Sequence, residues 1–280
     1  MNFDDPRAIL RMLEQNARRR FGQHFLTRKD IVQRMVRRAG VSEGDEVVEI
    51  GPGLGILTDA LQQKGTKITA VELDRDLADH IERVFPDVRL IRGDALKQDW
   101  PELLGAGPVT VVANLPYNVG TKLVMRLLRH PTLFKRIVVM LQKEVVDRML
   151  ADPGSKTYGA LSVQVQVRAR ASFMVAVPPT SFHPAPKVHS SVIRLDPYPT
   201  AQTGSVTLAE FDRVVRAGFS QRRKVLPNSL GPLYGKDVAV RALEALDIDP
   251  GVRAERLTVQ QWRDLAAQLH PSEADNAELS

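Results

Sequence analysis

Between residues 45 and 150, short apolar runs alternate with segments of helical period. Val47–Ile50, Ile68–Val71, Val88–Ile91, Val109–Ala113 and Ile137–Leu141 read as strands. Ile56–Gln63, Leu77–Val84, a stretch near 120–129 and Val145–Leu150 read as helices between and after them. Such alternation predicts βαβ units and a parallel sheet covered on both faces. Ala160–Arg170 predicts another helix, and Phe173–Val177 and Val188–Leu195 two more strands, split by a Pro-rich loop at Pro178–Pro186. Pro197–Gly204 reads as a linker. Beyond it only helical patterns remain, at about 207–219, 236–246 and 258–269. At the other end, residues 6–17 (Pro6, Ile9, Leu10, Met12, Leu13) predict a short amphipathic helix. A second helix over about 28–39 carries Ile31, Val32, Met35 and Val36 on one side, with Thr27 as its cap and Gly40 as its stop. The pattern predicts an α/β fold with three parts: a helical extension over 1–40, a main domain over 41–198 and a small all-α domain over 205–280. The polar tail from Pro271 is expected to fray.

Composition narrows the function classes. With 280 residues, 43% hydrophobic and 26% charged, the chain is long and apolar enough for one large domain and one small one. Aromatics are 5%, so the core should be mostly aliphatic. Thirty-nine Lys and Arg against 33 Asp and Glu leave +6, which suits a polyanionic partner and equally suits mere solubility. No cysteine is present, which excludes disulfides, thiolate zinc sites, iron–sulfur clusters and cysteine nucleophiles, and fits a reducing cytosol. The acidic start, Met1-Asn2-Phe3-Asp4-Asp5, leads into no apolar h-region, so no signal peptide is expected. The strongest apolar run, Ile137–Leu141, is far below the ~20 residues that cross a bilayer. The histidines at 24, 80, 130, 183, 189 and 270 have no metal-ligand spacing, and no metal is expected.

The chemistry concentrates at strand ends. Glu49-Ile50-Gly51-Pro52-Gly53-Leu54-Gly55 follows a strand and opens a helix, the context of a nucleotide-binding loop. Its G-x-G-x-G spacing differs from the dinucleotide fingerprint. Glu72 ends the next strand, where a carboxylate can hold ribose hydroxyls, and Asp94 follows the third. The same residues also suit a tight turn with solvated or helix-capping acids. Asn114-Leu115-Pro116-Tyr117 ends the fourth strand. The exocyclic amine of adenine is a poor nucleophile, because its lone pair is delocalised into the ring. The Asn114 side-chain oxygen and the Leu115 carbonyl can accept its N–H bonds, favouring a more pyramidal nitrogen. Pro116 stiffens the turn, and Tyr117 offers a face for an extracted base.

These pieces carry a resemblance. EIGPGLG, the VELD around Glu72, GDA at Asp94 and NLPYN resemble the S-adenosylmethionine-dependent rRNA adenine N6-methyltransferases. Within them, the chain is most similar to the dimethyladenosine transferases of small-subunit rRNA. FGQHFL, LQKEV (141–145), Tyr158-Gly159, FHPAPKV (182–188) and FSQRRKVLPNSL (219–230) extend the likeness over nearly the whole chain. The resemblance implies a Rossmann-like, seven-stranded class I methyltransferase sheet with a helical C-terminal domain. It also implies S-adenosyl-L-methionine as methyl donor, with His24, Leu26, Gly51, Gly53, Glu72, Asp94 and Asn114 as its contacts. Many relatives have Asn where this chain has His24. Asn114, Leu115, Pro116 and Tyr117 would form the catalytic turn, and Phe182 a second wall for the target base opposite Tyr117. Arg222, Arg223 and Lys224 would contact RNA phosphates, and Arg18-Arg19-Arg20 could do the same. The implied activity is N6-dimethylation of two adjacent adenosines in the loop of the 3′-terminal helix of 16S rRNA. The implied partner is an immature small ribosomal subunit; a cytoplasmic location is expected, and a monomer is the default, since the sequence does not encode the oligomeric state legibly. A large-subunit rRNA or a DNA adenine methyltransferase shares the chemistry, and a ribosome-assembly binding role is compatible with the same sequence.

Overall fold

The computed structural model describes Ile9 and residues 24–270. The helix predicted over 6–17, apart from Ile9, the basic cluster Arg18–Arg20 and the tail from Pro271 lie outside the described residues. The first elements are β1 (Phe25–Leu26), α1 (Lys29–Ala39), β2 (Glu46–Ile50), α2 (Ile56–Gln62), β3 (Lys67–Glu72), α3 (Arg75–Val84) and β4 (Arg89–Arg92). There follow α4 (Trp100–Leu104), β5 (Val109–Asn114), α5 (Gly120–Leu127), β6 (Phe134–Gln142), α6 (Lys143–Met149) and α7 (Ala160–Gln166). Then come β7 (Ala169–Val177), β8 (Phe182–His183), β9 (Ser190–Pro197), α8 (Leu208–Gly218), α9 (Leu226–Tyr234), α10 (Lys236–Glu244) and α11 (Val259–Leu269).

Seven strands form one sheet in the order β4-β3-β2-β5-β6-β9-β7. β2 lies parallel to β3 and β5, β3 to β4, and β5 to β6. Val111, Val112, Ala113 and Ile137–Leu141 are all buried, as strands covered on both faces require. One strand corrects the expectation of a parallel sheet: β9 runs antiparallel to β6, with Ile137 opposite Leu195 and Gln142 opposite Ser190. Residues 178–189, which connect β7 to β9, hold no α-helix to carry a parallel crossover. A separate ribbon pairs β1 with β8 antiparallel, Phe25 opposite His183 and Leu26 opposite Phe182.

Local readings shift in three places. Thr27 does not cap α1; its hydroxyl donates to the Ser181 carbonyl at 3.0 Å, and Arg28 takes the cap position. Gly40 does end α1, in the left-handed conformation at φ 65°. The helix predicted over 160–170 stops at Gln166, and β7 begins at Ala169 rather than Phe173. Ala169-Arg170-Ala171 has little strand propensity of its own, so position in the sheet decides its state.

The chain divides into two compact units. One comprises the described residues up to Val146 together with Arg170–Pro199; the other comprises Asp147–Ala169 and the described residues from Thr200. The predicted boundaries, 41–198 and 205–280, are contiguous stretches; the structure moves 147–169 into the helical unit. The reason is its apolar face: Tyr158, Val163 and Val167 are buried with Phe211, Leu230, Leu243 and Trp262 in one core. The Tyr158 hydroxyl donates to the Leu257 carbonyl at 2.9 Å within that core. In the sheet unit, Ile31, Val32, Met35 and Val36 of α1 share a cluster with Val112, Val138 and Met140. No helix among the described residues is long and apolar enough to cross a membrane.

Candidate active site

Parallel strands bring their carboxyl ends together, and β2, β3, β4 and β5 open onto one cavity. Its wall includes His24, Leu26, Gly51, Gly53, Glu72, Asp94 and Asn114–Tyr117. Ten residues that the sequence singled out therefore share one space, although they span 94 positions from His24 to Tyr117.

The loop after β2 is held from both sides. Gly51 N–H donates to the Val71 carbonyl at 2.9 Å, and Gly55 N–H to the Pro52 carbonyl at 2.9 Å. Gly51 has φ +69°, and a Cβ built on it meets nothing within 4 Å, so it leaves open space on the cavity wall. Gly55 has φ +88° and is crowded instead: a Cβ there would sit 2.3 Å from the Phe85 ring.

Glu72, 7% exposed, closes β3. Its Oε2 accepts from Gly53 N–H at 3.2 Å and its Oε1 from Asp74 N–H at 2.9 Å. Burial raises its pKa, opposed by those amide bonds. A carboxylate has about four lone-pair sites, so two remain for ligand hydroxyls. Asp94 Oδ1 accepts from Leu96 N–H at 2.9 Å, which fixes the turn after β4.

The fourth strand end is set by three anchors. Leu115 N–H donates to the Met140 carbonyl at 3.2 Å, and the Pro116 carbonyl accepts from Val119 and Gly120 N–H. Asn114 Nδ2 donates to the His24 carbonyl at 3.2 Å. A carbonyl only accepts, so the amide NH2 must face His24, which leaves Asn114 Oδ1 as a spare acceptor. The Tyr117 hydroxyl is 2.5 Å from Ser190 Oγ, which is itself buried. Burial raises the Tyr117 pKa.

Phe182 departs from the expectation that it walls the target base opposite Tyr117. Its side chain is 5% exposed, packs in the core of the sheet unit and is not part of the cavity wall. The pairing of Leu26 with Phe182 carries that ring into the ribbon's packed layer. The ring lying against Tyr117 is His24, with centroids 5.3 Å apart. Arg222, Arg223 and Lys224 belong to the helical unit, exposed on the turn between α8 and α9, where the Arg222 guanidinium donates to the Lys156 carbonyl.

The cavity wall also holds residues to which the sequence reading gave no role, Glu49 and Leu73 among them. Glu49 is 1% exposed, accepts from the Thr58 hydroxyl at 2.7 Å and has its pKa pushed up to about 8, chiefly by burial. Its place two residues before Gly51 in a glycine loop was the available signal. Leu73 is 53% exposed beside Glu72, an apolar face next to a carboxylate. Its signal was only its position after the acid.

The cavity suits a nucleoside. Glu72 offers acceptors for ribose hydroxyls, Leu73 an apolar face, and Gly51 room for close backbone approach.

Comparison with known proteins agrees. The model of the family described as ribosomal RNA adenine dimethylase matches residues 14–270. A ribosomal RNA small subunit methyltransferase A from Thiobacillus denitrificans is 45% identical over 254 residues, covering 90% of this chain and 97% of the relative. Its counterpart from Syntrophotalea carbinolica is 41% identical over 261 residues, covering 92% and 99%. Among solved structures, a dimethyladenosine transferase from Plasmodium falciparum superposes with TM-score 0.75 at 25% identity, over 86% of this chain and 96% of that one. The 23S rRNA methyltransferase ErmE, at TM-score 0.69 and 22% identity over 88% and 99%, shares the class I methyltransferase fold. By sequence over nearly its full length, and by the fold that sequence builds, the chain belongs to the ribosomal RNA adenine dimethylase family.

Proposed function

We propose that this enzyme transfers methyl groups to the N6 atoms of two adjacent adenosines in the loop of the 3′-terminal helix of 16S rRNA. Its substrate would be an immature small subunit, met as a monomer in the cytoplasm. The observation that carries the reading is one cavity that joins a ribose-type carboxylate, Glu72, to an adenine-type acceptor, Asn114. The names of the curated relatives support the small subunit as the source of that RNA.

When bound, S-adenosylmethionine supplies an electrophilic methyl carbon attached to a sulfonium. Glu72, Gly51, Gly53, Asp94, Leu26 and the His24 segment would hold it against the strand ends. Asn114 Oδ1 and the Leu115 carbonyl would accept the two N6–H bonds and turn the nitrogen lone pair toward that carbon. Because the Met140, His24 and Ser190 anchors fix this turn, little reorganisation remains at the moment of transfer. Glu72 would be engaged by the ribose and Glu49 is buried against Thr58, so positioning rather than a strong base would be the source of rate. The N6 proton then leaves to solvent. Arg222, Arg223 and Lys224 would bind phosphates and orient the RNA without reading its sequence.

The test is direct. The purified protein is incubated with S-adenosylmethionine and unmethylated small subunits, and the digested nucleosides are weighed by mass spectrometry. Dimethyladenosine is the expected product. Its absence, with cofactor binding intact, refutes the substrate assignment.

A further inference from the structure

Three arginines from neighbouring strands meet one carboxylate at the far end of the sheet. Asp196 of β9 accepts from Arg136 Nε of β6 at 2.9 Å and from Arg194 Nε of its own strand at 2.7 Å. Arg170 Nη2, on the edge strand β7, stands 3.8 Å from the same carboxylate. The Arg136 and Arg194 side chains are 26% and 25% exposed, so both are held before anything binds; Arg170 is 74% exposed. Arg136 Nη1 also donates to the Ala39 carbonyl at 2.7 Å, which sets the cluster against the last turn of α1. That turn carries Arg37 and Arg38, both exposed and, among the described residues, in no ion pair. Lys135, the residue before Arg136, pairs with Asp45 at 3.3 Å. Arg37, Arg38, Lys135, Arg136, Arg170 and Arg194 thus stand against Asp45 and Asp196 alone, all within the sheet unit.

We propose that this face, the last turn of α1 with the adjoining end of β6, β9 and β7, is a second RNA-docking surface. It would take phosphates of the small-subunit RNA outside the loop that holds the target adenosines. This rests on the small-subunit RNA reading of the active site. Guanidinium forks match phosphate oxygens two at a time, and arginines already fixed lose little freedom on binding. A surplus spread over one face suits a polyanion, because each phosphate engaged releases a counterion. The face is distinct from the cavity. The catalytic turn is tied to Met140, near the end of β6, whereas Arg136 lies near its start. Six residues separate Arg136 from Gln142, about 20 Å at ~3.3 Å each. A phosphate held there belongs to neither the cofactor nor the target base.

The experiment compares wild type with a triple variant, Arg37→Gln with Arg38→Gln and Arg170→Gln, which leaves the Arg136–Asp196–Arg194 bonds alone. A second triple variant has Lys at the same three positions. A third replaces Lys64, Lys67 and Arg89, exposed on the other half of the sheet, with Gln. Equilibrium Kd is read for unmethylated small subunits and for protein-free 16S rRNA across a salt series. Affinity for S-adenosylmethionine is read by calorimetry, and kcat at saturating subunits. Loss of three phosphate contacts should raise Kd for subunits and free RNA roughly 10- to 100-fold and lower the salt slope by about 2–3. Cofactor affinity and kcat should stay within twofold, which also shows that the fold survives. The Lys variant should keep the slope and most of the affinity, and the Lys64, Lys67 and Arg89 variant should lose far less. An unchanged Kd and slope overturns the proposal, as does an equal loss in the Lys64, Lys67 and Arg89 variant. A defect on subunits that is absent on free RNA also overturns it, in favour of an acidic protein partner. Wild type that binds subunits but forms no dimethyladenosine would strike the substrate assignment instead, because Kd is read without turnover.

Discussion

A methyl group added at two glycines of one loop should separate folding from binding. Gly51 and Gly55 both have positive φ, +69° and +88°, so alanine at either costs about 1–2 kcal/mol of backbone strain. Their surroundings differ. At Gly55 the new Cβ would stand 2.3 Å from Phe85 Cε2 and 3.3 Å from Ile81 Cδ1, and both side chains are buried. Overpacking adds about 1–3 kcal/mol, for a total of roughly 2–5 kcal/mol. At Gly51 the Cβ meets nothing, so only the strain is lost from stability. That methyl instead projects where a ligand must approach. The same overpacking, now against the cofactor, weakens binding roughly 5- to 150-fold. Urea unfolding and calorimetric titration of S-adenosylmethionine measure the two effects. The reasoning fails if Gly51→Ala binds like wild type, or if Gly55→Ala is no less stable than Gly51→Ala.

Other outcomes follow from the same geometry. Glu49 titrates near 8 when folded, above the ordinary 4.5, so the stability it contributes is full below about 4.5 and is lost as pH rises through about 8. Glu49→Gln should flatten that decline; equal losses in both proteins between pH 5 and 8 would refute it. Asn114→Ala should cut methyl transfer by roughly 10²-fold or more while costing only about 1 kcal/mol of stability, read by single-turnover assay and urea unfolding. Phe182→Ala should destabilise by about 3–5 kcal/mol, because the ring is core. Native stability with lost activity would restore it to the base-binding wall. Arg223→Glu and Lys224→Glu should weaken rRNA binding and each lower the salt slope by roughly 1; an unchanged slope removes them from the interface.

The strand–helix alternation to residue 150 was legible because β2, β3, β5 and β6 are apolar on both faces and the helices between them on one. The cavity residues were legible for a related reason: a parallel sheet puts every functional strand end on the same side. What escaped depends on tertiary context. α9, Leu226–Tyr234, contains Pro227 and Pro232, which disguise a helix; Pro227 sits in the first turn, where no donor is missed. The β1–β8 ribbon has two residues per strand and no pattern to read. Phe182 looks the same in sequence whether it faces a cavity or a core, and only its register with Leu26 decides. Glu49 was visible as the acid two residues before Gly51, but nothing in the sequence says that its carboxyl is buried.

The helical unit is discontinuous: Asp147–Ala169 precedes β7 and β9, and the remainder follows them. It is therefore not a cassette that truncation or fusion can lift out. A fragment starting at 205 would leave Val214, Leu230 and Trp262 without Tyr158, Val163 and Val167, exposing a core it cannot close. Deleting 147–169 would cut off the end of α6 and the first residue of β7, and would strip the helical unit of Tyr158, Val163 and Val167. Modular exchange between members of this family has to trade both segments together, and a nascent chain must finish the sheet before the helical core has all its parts.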